Sequence, residues 1–344
     1  MNMERIIYLS DHFGAVAEDG RLVEYIPFRK EDCAGQILRG RVDRMMPGLG
    51  AAFVDIGRNK DGFLPLKESS QTFTEPDFRS GDRILVQIRK EETGNKGAFL
   101  TRDISLAGSY LILMPRNRFT GVSARVKDPE ERSRMLRTGK ALAGDRFGIV
   151  MREAAAGMPE EMLREELDRL TTQWNEILNG ADPEIDPEDE LVRDYVPRGT
   201  ERIERAEKLP PNLERQLREA EHRKIRLPHG GNIVIDRCEA MTVIDVNSAS
   251  DSGEGNRREI VLRTNMEACE EIMIQVRLRN LSGILILDMI DMETEEDRAC
   301  VLRALEEAFQ RDRIKTVIHG YTSLGLIEMT RKRSRAAWQE QQSM

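Results

Sequence analysis

The chain has 344 residues and a formal net charge of −8, with 33% charged and 5% aromatic residues. That length exceeds what one compact core organises, so two or three domains are expected. A mean hydropathy of −0.52 and no apolar run near membrane-spanning length argue against an integral membrane protein, and the acidic balance argues against indiscriminate nucleic-acid binding. The N-terminus has no apolar segment of the signal-peptide kind. Cys33, Cys238, Cys269 and Cys300 are scattered without a CxxC pair, which predicts no zinc site, no disulfide framework and a cytoplasmic location.

In chain order, Arg5 to Ser10, Phe13 to Ala17 and Leu22 to Ile26 read as strands, with turn chemistry at Glu18-Asp19-Gly20. From Gly35 to Ser109 short strands alternate with glycine-rich turns, the pattern of a small barrel. Cations slightly outnumber acids there, and Phe53, Phe63 and Lys96 belong to the mixture of rings and cations with which OB-type barrels hold single strands. A phenylalanine in a barrel strand is more often core, and both readings stand at this stage. An apolar segment ends at Pro115, followed by a helix from Glu130 to Leu142 and a strand running up to Arg152. Glu160 to Leu178 is helical, with Met162, Leu163, Leu167, Leu170, Trp174 and Leu178 on one face. The acidic NGADPEIDPEDE stretch reads as a solvated loop, and Glu201 to Arg226 as a charged helix interrupted at Pro210-Pro211.

Chemistry concentrates between Asn232 and Met292. Two β-branched runs, Met241 to Ile244 and Ile284 to Leu287, each end on an acid, Asp245 and Asp288. Between them Ile260, Thr264, Ala268, Ile272 and Val276 recur at helical spacing, predicting an amphipathic helix. Such a strand–helix–strand unit forms a parallel pair by a right-handed crossover, so both acids fall at the carboxyl edge of one sheet. Asn247 is in phase with Asp245 in an extended chain. Strands often end on an acid for no chemical reason. Two at one edge, with an amide in phase and Asp291 nearby, favour a hard-oxygen site for magnesium, with manganese as the alternative ion. Further on, Thr294 and Asp297 form an N-capping pair, and Thr316 to His319 reads as a strand. No nucleophile–base arrangement, phosphate loop or histidine cluster is visible.

AMTVIDVNSASDSGEG followed by GILILDMIDM resembles the catalytic core of the ribonuclease E/G family of bacterial endoribonucleases. LRGRVDRMMPGLGAAFVDIGRNKDGFLPLKE, KEETGNKGAFLTRDISLAGSYLILMP, IRLPHGGNIVID, RTNMEACEEIMIQVRLRNLSG and GLIEMTRKR extend the resemblance, in order, over most of the chain. The resemblance implies an α+β multi-domain architecture: an OB-type RNA-binding β-barrel, an RNase H-like subdomain and a DNase I-like α/β catalytic domain. The expected boundaries are 1–34 for the first RNase H-like strands, 35–110 for the barrel, 111–226 for a 5′-sensor and reduced RNase H-like region, 227–335 for the catalytic domain and 336–344 for a tail. It implies magnesium-dependent hydrolysis of single-stranded RNA to 5′-phosphate products in RNA processing and decay, with Asp245, Asn247 and Asp288 catalytic and the two acids on the metal. Phe53, Phe63 and Lys96 are implied to bind RNA, and Gly108, Ile112, Arg152 and Arg331 to surround its 5′-monophosphate. A non-catalytic RNA-binding protein with a vestigial metal site, and a DNA nuclease, are the alternatives. The family's CPxC zinc-link motif is missing, so no zinc is expected and any homo-oligomer is expected to form without it. Glu153 stands beside Arg152 where the family has threonine, and its carboxylate is expected to compete with the phosphate.

Overall fold

A two-residue turn closes the second hairpin of the chain. In this computed structural model Asp19 and Gly20 take positive φ of 46° and 74°. Such a left-handed pair matches the twist of the flanking strands in a tight hairpin. Strands β1 (Arg5–Leu9), β2 (Phe13–Glu18) and β3 (Arg21–Pro27) follow the predicted runs. The described residues are 3–28, 33–67, 77–92, 96–180, 187–195, 200, 202–248 and 256–333. The expected tail at 336–344 and the middle of the acidic stretch lie outside them. Contacts divide the chain into two units, Met1–Phe28 with Thr200–Met344, and Arg29–Gly199.

The inserted unit opens with β4 (Ile37–Met46), β5 (Ala51–Asp55), β6 (Gly62–Pro65), β7 (Arg83–Lys90) and β8 (Phe99–Thr101), a closed barrel in the order β4-β5-β6-β8-β7. Val42, Val54, Leu64, Val86, Ile88 and Leu100 fill its interior. Beyond it, β9 (Leu106–Ala107), β10 (Leu111–Met114), β11 (Thr120–Val122) and β12 (Gly148–Met151) form a sheet in the order β11-β12-β10-β9. Helices α1 (Pro129–Ala143) and α2 (Glu160–Leu178) cover this sheet, burying Met135, Leu163, Leu167 and Trp174. The acidic stretch read as a loop ends instead in a helix, α3 (Pro187–Tyr195). Its Leu191 and Tyr195 are fully buried, and those two apolar residues four apart override the acidic composition around them.

The first unit resumes at β13 (Arg202–Arg205), which lies parallel to β1 and completes the sheet β13-β1-β2-β3. The charged helix expected from Glu201 to Arg226 is therefore three elements: this strand, α4 (Pro211–Glu219) and β14 (Lys224–Arg226). Edge strand β13 is mostly exposed, so it carries no apolar pattern to read. Then come β15 (Asn232–Arg237), β16 (Met241–Asn247), α5 (Arg257–Leu278), β17 (Gly283–Asp288), α6 (Glu295–Phe309), β18 (Thr316–Tyr321) and β19 (Ile327–Arg331). Six of the strands form one sheet, β14-β15-β16-β17-β19-β18, in which β16 and β17 are parallel. Thr294 caps α6 by accepting from the Asp297 N–H at 3.2 Å, as predicted.

Helix α5 departs from the one-faced amphipathic helix expected. From Thr264 onward nearly every side chain is buried, including Asn265, Glu271, Gln275 and Arg277. The helix packs against β3, β15, β16 and α6, and from Glu259 on the exposed residues are a strip of Glu259, Arg263, Met266 and Glu270 that ends before the last two turns. Its polar residues are tolerated because each is bonded. Arg277, fully buried, donates from both terminal nitrogens to the Glu18 carboxylate at 3.0 Å, and Arg5 donates to the same group. Burial pushes the Glu18 carboxyl up, but hydrogen bonds and charge from Arg277 and Arg5 outweigh it and hold the group below its ordinary value. Arg21 bonds Glu271 at 2.6 Å and Arg313 bonds Glu24 at 2.6 Å, tying the same hairpin to the rest of the unit.

Glu18→Gln leaves the Arg277 charge buried without its counter-ion, and such a loss costs about 3–5 kcal/mol. Because the folded-state pKa lies below the unfolded one, the unfolded chain takes up the proton first. The stabilisation is therefore whole above the ordinary carboxylate range near about pH 4 and is lost as pH falls below it. Urea unfolding of wild type and Glu18→Gln at pH 7, 5 and 3 checks this. The gap is expected to be wide at pH 7 and to narrow toward pH 3.

Candidate active site

The register of one parallel pair builds the site. Asp245 of β16 is directly paired with Asp288 of β17 in the last pair of the parallel ladder; Asp288 closes β17, while β16 runs on two residues to Asn247. Neighbouring strands lie about 4.8 Å apart, so the two carboxylates are within reach of one small ion. Burial alternates along β16: Thr242, Ile244 and Val246 face the helices, while Val243, Asp245 and Asn247 are only half-covered on the opposite face. On β17, Leu285 and Leu287 are buried and Asp288 is exposed. The Asn247 amide donates to Asp245 Oδ2 at 2.7 Å, which fixes the rotamer of both side chains and leaves the amide oxygen as an acceptor.

Burial and the negative charges of Asp245 and Asp291 push the Asp288 carboxyl above its ordinary value. The part of that push that comes from the neighbouring acids is one that a cation would relieve. Among the described residues no three His, Cys, Asp or Glu side chains lie close enough to hold a metal by themselves. Asp291 therefore acts through its charge. Two carboxylates with an amide beside them fit magnesium, which keeps several waters and is usually held by one or two protein carboxylates. A fourth residue escaped the sequence reading. Asn265 of α5 is fully buried and bonds both the N–H and the C=O of Ile290, two residues past Asp288. Its only signal in the sequence is an asparagine in mid-helix, where asparagine is a poor helix former.

On the barrel, Phe53 pairs across strands with Phe63, and Phe63 with Phe99. The ring centroids lie 6.1 and 5.7 Å apart, the first pair edge-on and the second stacked. These rings are half-buried or exposed, while Val54 and Leu64 beside them point inward. The core reading of Phe53 and Phe63 fails on that alternation. Arg44 sits over the Phe53 ring at 5.4 Å, and Lys96 is exposed just ahead of β8. Phe99, absent from the sequence reading, completes a strip across three strands.

The residues expected around a 5′-phosphate fare differently. Arg152 follows β12, donating to the Gly108 carbonyl at 2.6 Å and to Asp194 Oδ1 of α3 at 2.7 Å. Glu153 instead bonds Arg125 at 3.2 Å, so the acid held by Arg152 is Asp194. The loop after Gly108 is a nest of donors: Ser109, Tyr110 and Leu111 direct their N–H groups at Glu166 at 2.6, 2.8 and 2.9 Å. A Cβ at position 108 would come within 2.4 Å of the Glu166 carboxyl carbon, so glycine is required there by this internal anion. Ile112 is half-buried in β10, opposite Val150. Arg331 directs its guanidinium at protein partners. It is buried in the other unit, bonded through Nε and Nη2 to Asp312 and through Nη1 to Asn280 and the Leu281 carbonyl.

A model of the Ribonuclease E/G family matches residues 105–205 and 189–334. Ribonuclease G of Escherichia coli (strain K12) is 34% identical over 92% of this chain and 77% of its own length. Ribonuclease G of Haemophilus influenzae is 33% identical over 93% and 77%. Ribonuclease E of Nostoc sp. is 34% identical over 96% of this chain, which spans 56% of that longer protein. With its acids in register, its amide in phase and its aromatic barrel strip, this chain belongs to the ribonuclease E/G family.

Proposed function

We propose that the chain is a magnesium-dependent endoribonuclease that hydrolyses single-stranded RNA during RNA processing and decay. The observation that carries this reading is the side-by-side register of Asp245 and Asp288 with Asn247 bonded to the first. Asp245 and Asp288 are the residues that would hold the ion, and when bound it supplies Lewis-acid polarisation of the scissile phosphate and charge that acidifies a water. Asn247 keeps Asp245 in one rotamer and offers an oxygen to orient that water or the substrate. Attack by water at phosphorus expels the 3′-oxygen and leaves 5′-phosphate and 3′-hydroxyl ends. Phe53, Phe63 and Phe99 offer π-faces to unpaired bases, and Arg44 and Lys96 offer charge to the backbone. In the same reading, the four-stranded sheet of the first unit is its RNase H-like part and the six-stranded sheet its DNase I-like part.

Around Arg152 the internal carboxylates support a second element of the proposal, cleavage that is indifferent to the RNA 5′ end. An incoming phosphate meets a guanidinium already neutralised by Asp194 and backbone donors already filled by Glu166. Asp194 thus takes the competing part that Glu153 was expected to play.

Three outcomes test this reading. Asp245→Asn and Asp288→Asn should each cut the cleavage rate by at least a hundredfold at saturating magnesium, with RNA affinity nearly unchanged, because each removes a charge and little volume. Retention of a tenth of wild-type activity would remove that acid from the site. Phe63→Ala and Phe99→Ala should weaken single-stranded RNA binding by about 1–3 kcal/mol, the worth of a stacked base. Thermal melts run alongside the titration separate this from a folding defect. Finally, RNA bearing a 5′-monophosphate or a 5′-hydroxyl should be cut at similar rates by wild type, with a monophosphate preference emerging in Asp194→Ala. A tenfold preference already present in wild type would exclude the internal-anion role.

A further inference from the structure

Asn265 makes a connection that neither the acids nor the fold explain. Strand β17 leaves the β16 ladder at Asp288, so the backbone beyond it has no strand partner on that side. Two residues on, the Asn265 side chain takes over. Its Oδ1 accepts from the Ile290 N–H at 3.0 Å and its Nδ2 donates to the Ile290 carbonyl at 2.8 Å. This is the pair of bonds that a neighbouring strand supplies, delivered by one fully buried amide from the crossover helix. The gripped residue lies between Asp288 and Asp291. Met289 and Met292 flank it and are buried, 6% and 7% exposed, but apolar packing is not directional and permits sliding. Two directed hydrogen bonds do not.

Asp245, Asp288 and Asp291 carry like charges at one edge, and without a cation their mutual repulsion opposes that arrangement. We infer that Asn265 is a positioning residue: it clamps Ile290 so that Asp288 stays beside Asp245, and it thereby sets the affinity of the pair for a divalent cation. This role rests on the metal-dependent reading above. If Asn265 only satisfied backbone polar groups, its loss would lower the melting temperature and leave the magnesium dependence where it was.

The test uses the full chain, wild type, Asn265→Ala and Asn265→Asp. The aspartate is nearly isosteric and still accepts from the Ile290 N–H, but as a carboxylate it opposes the Ile290 carbonyl. Two quantities are read: the magnesium midpoint of cleavage at saturating RNA, and binding of magnesium alone by calorimetry. Both variants should shift the midpoint and the calorimetric affinity at least tenfold toward higher magnesium, with KM for RNA within about twofold of wild type. In wild type, amide exchange should show Ile290 more protected than Asp291. Equal exchange at these two amides overturns the clamp whether or not the variants fold. Folded variants with wild-type magnesium affinity, in a wild type that needs magnesium, overturn the positioning role alone. A wild type that neither binds nor requires magnesium overturns the metal reading together with this role.

Discussion

A buried charge pair, Glu18 with Arg277, ties the first hairpins of the chain to the helix that builds the acidic edge. A guanidinium with no exposure tolerates few geometries, and both of its terminal nitrogens are bonded to one carboxylate. A one-residue rotation of α5, about 100° around its axis, would strip that charge of its partner, at a cost of several kcal/mol. Rotational register in turn decides which side chains of α5 face the six-stranded sheet. Asn265 reaches Ile290 only in that register, and the helix is also the crossover that sets β16 and β17 side by side. The geometry of the candidate site thus depends on a hairpin packed against its own connecting helix.

The edge that carries Asp245 and Asp288 holds like charges side by side. Two like charges about 5 Å apart, at an effective dielectric near 20, repel by about 3 kcal/mol. Asp288 absorbs part of this by holding its proton more tightly than usual. The same preference of anions for fixed partners recurs in the inserted unit. There Glu166 takes three backbone N–H groups and Asp194 takes Arg152, so anion-binding features are satisfied from within.

What could be read from the sequence follows from the range of the interactions involved. A β-branched run that ends on an acid is a local pattern, and it located Asp245, Asp288 and their shared edge. The alternation of Phe53 with Val54, and of Phe63 with Leu64, carries the outward-facing reading once strands are assumed, yet Phe99 lies in a strand of only three residues and gives no period. The polar residues of α5 looked solvated because their partners are remote: Glu18 is 259 residues from Arg277. Strand β13 was misread as helix because an exposed edge strand has no buried face to betray it. Arg331 matched a phosphate-binding position in the family resemblance, but its four hydrogen bonds to Asp312, Asn280 and Leu281 are tertiary and leave no trace in spacing. Glu153 was the nearest acid to Arg152 along the chain, whereas Asp194, 42 residues away, is the one in contact.

The discontinuity of the first unit bears on how the chain is made. Its three N-terminal strands leave the ribosome first, but β13 and the guanidinium that neutralises Glu18 are encoded far downstream. At about 5–20 residues per second, translation of the intervening stretch takes roughly 10–50 s. During that interval the Arg29–Gly199 unit, whose barrel strands pair with one another, is free to complete its barrel. The early hairpin meanwhile waits with Ile6, Phe13 and Leu22 uncovered, an apolar surface that a nascent-chain chaperone or a second ribosome's product can meet before α5 arrives. Completion of this unit is therefore a late event of synthesis, withheld until the last third of the polypeptide packs against the first few strands.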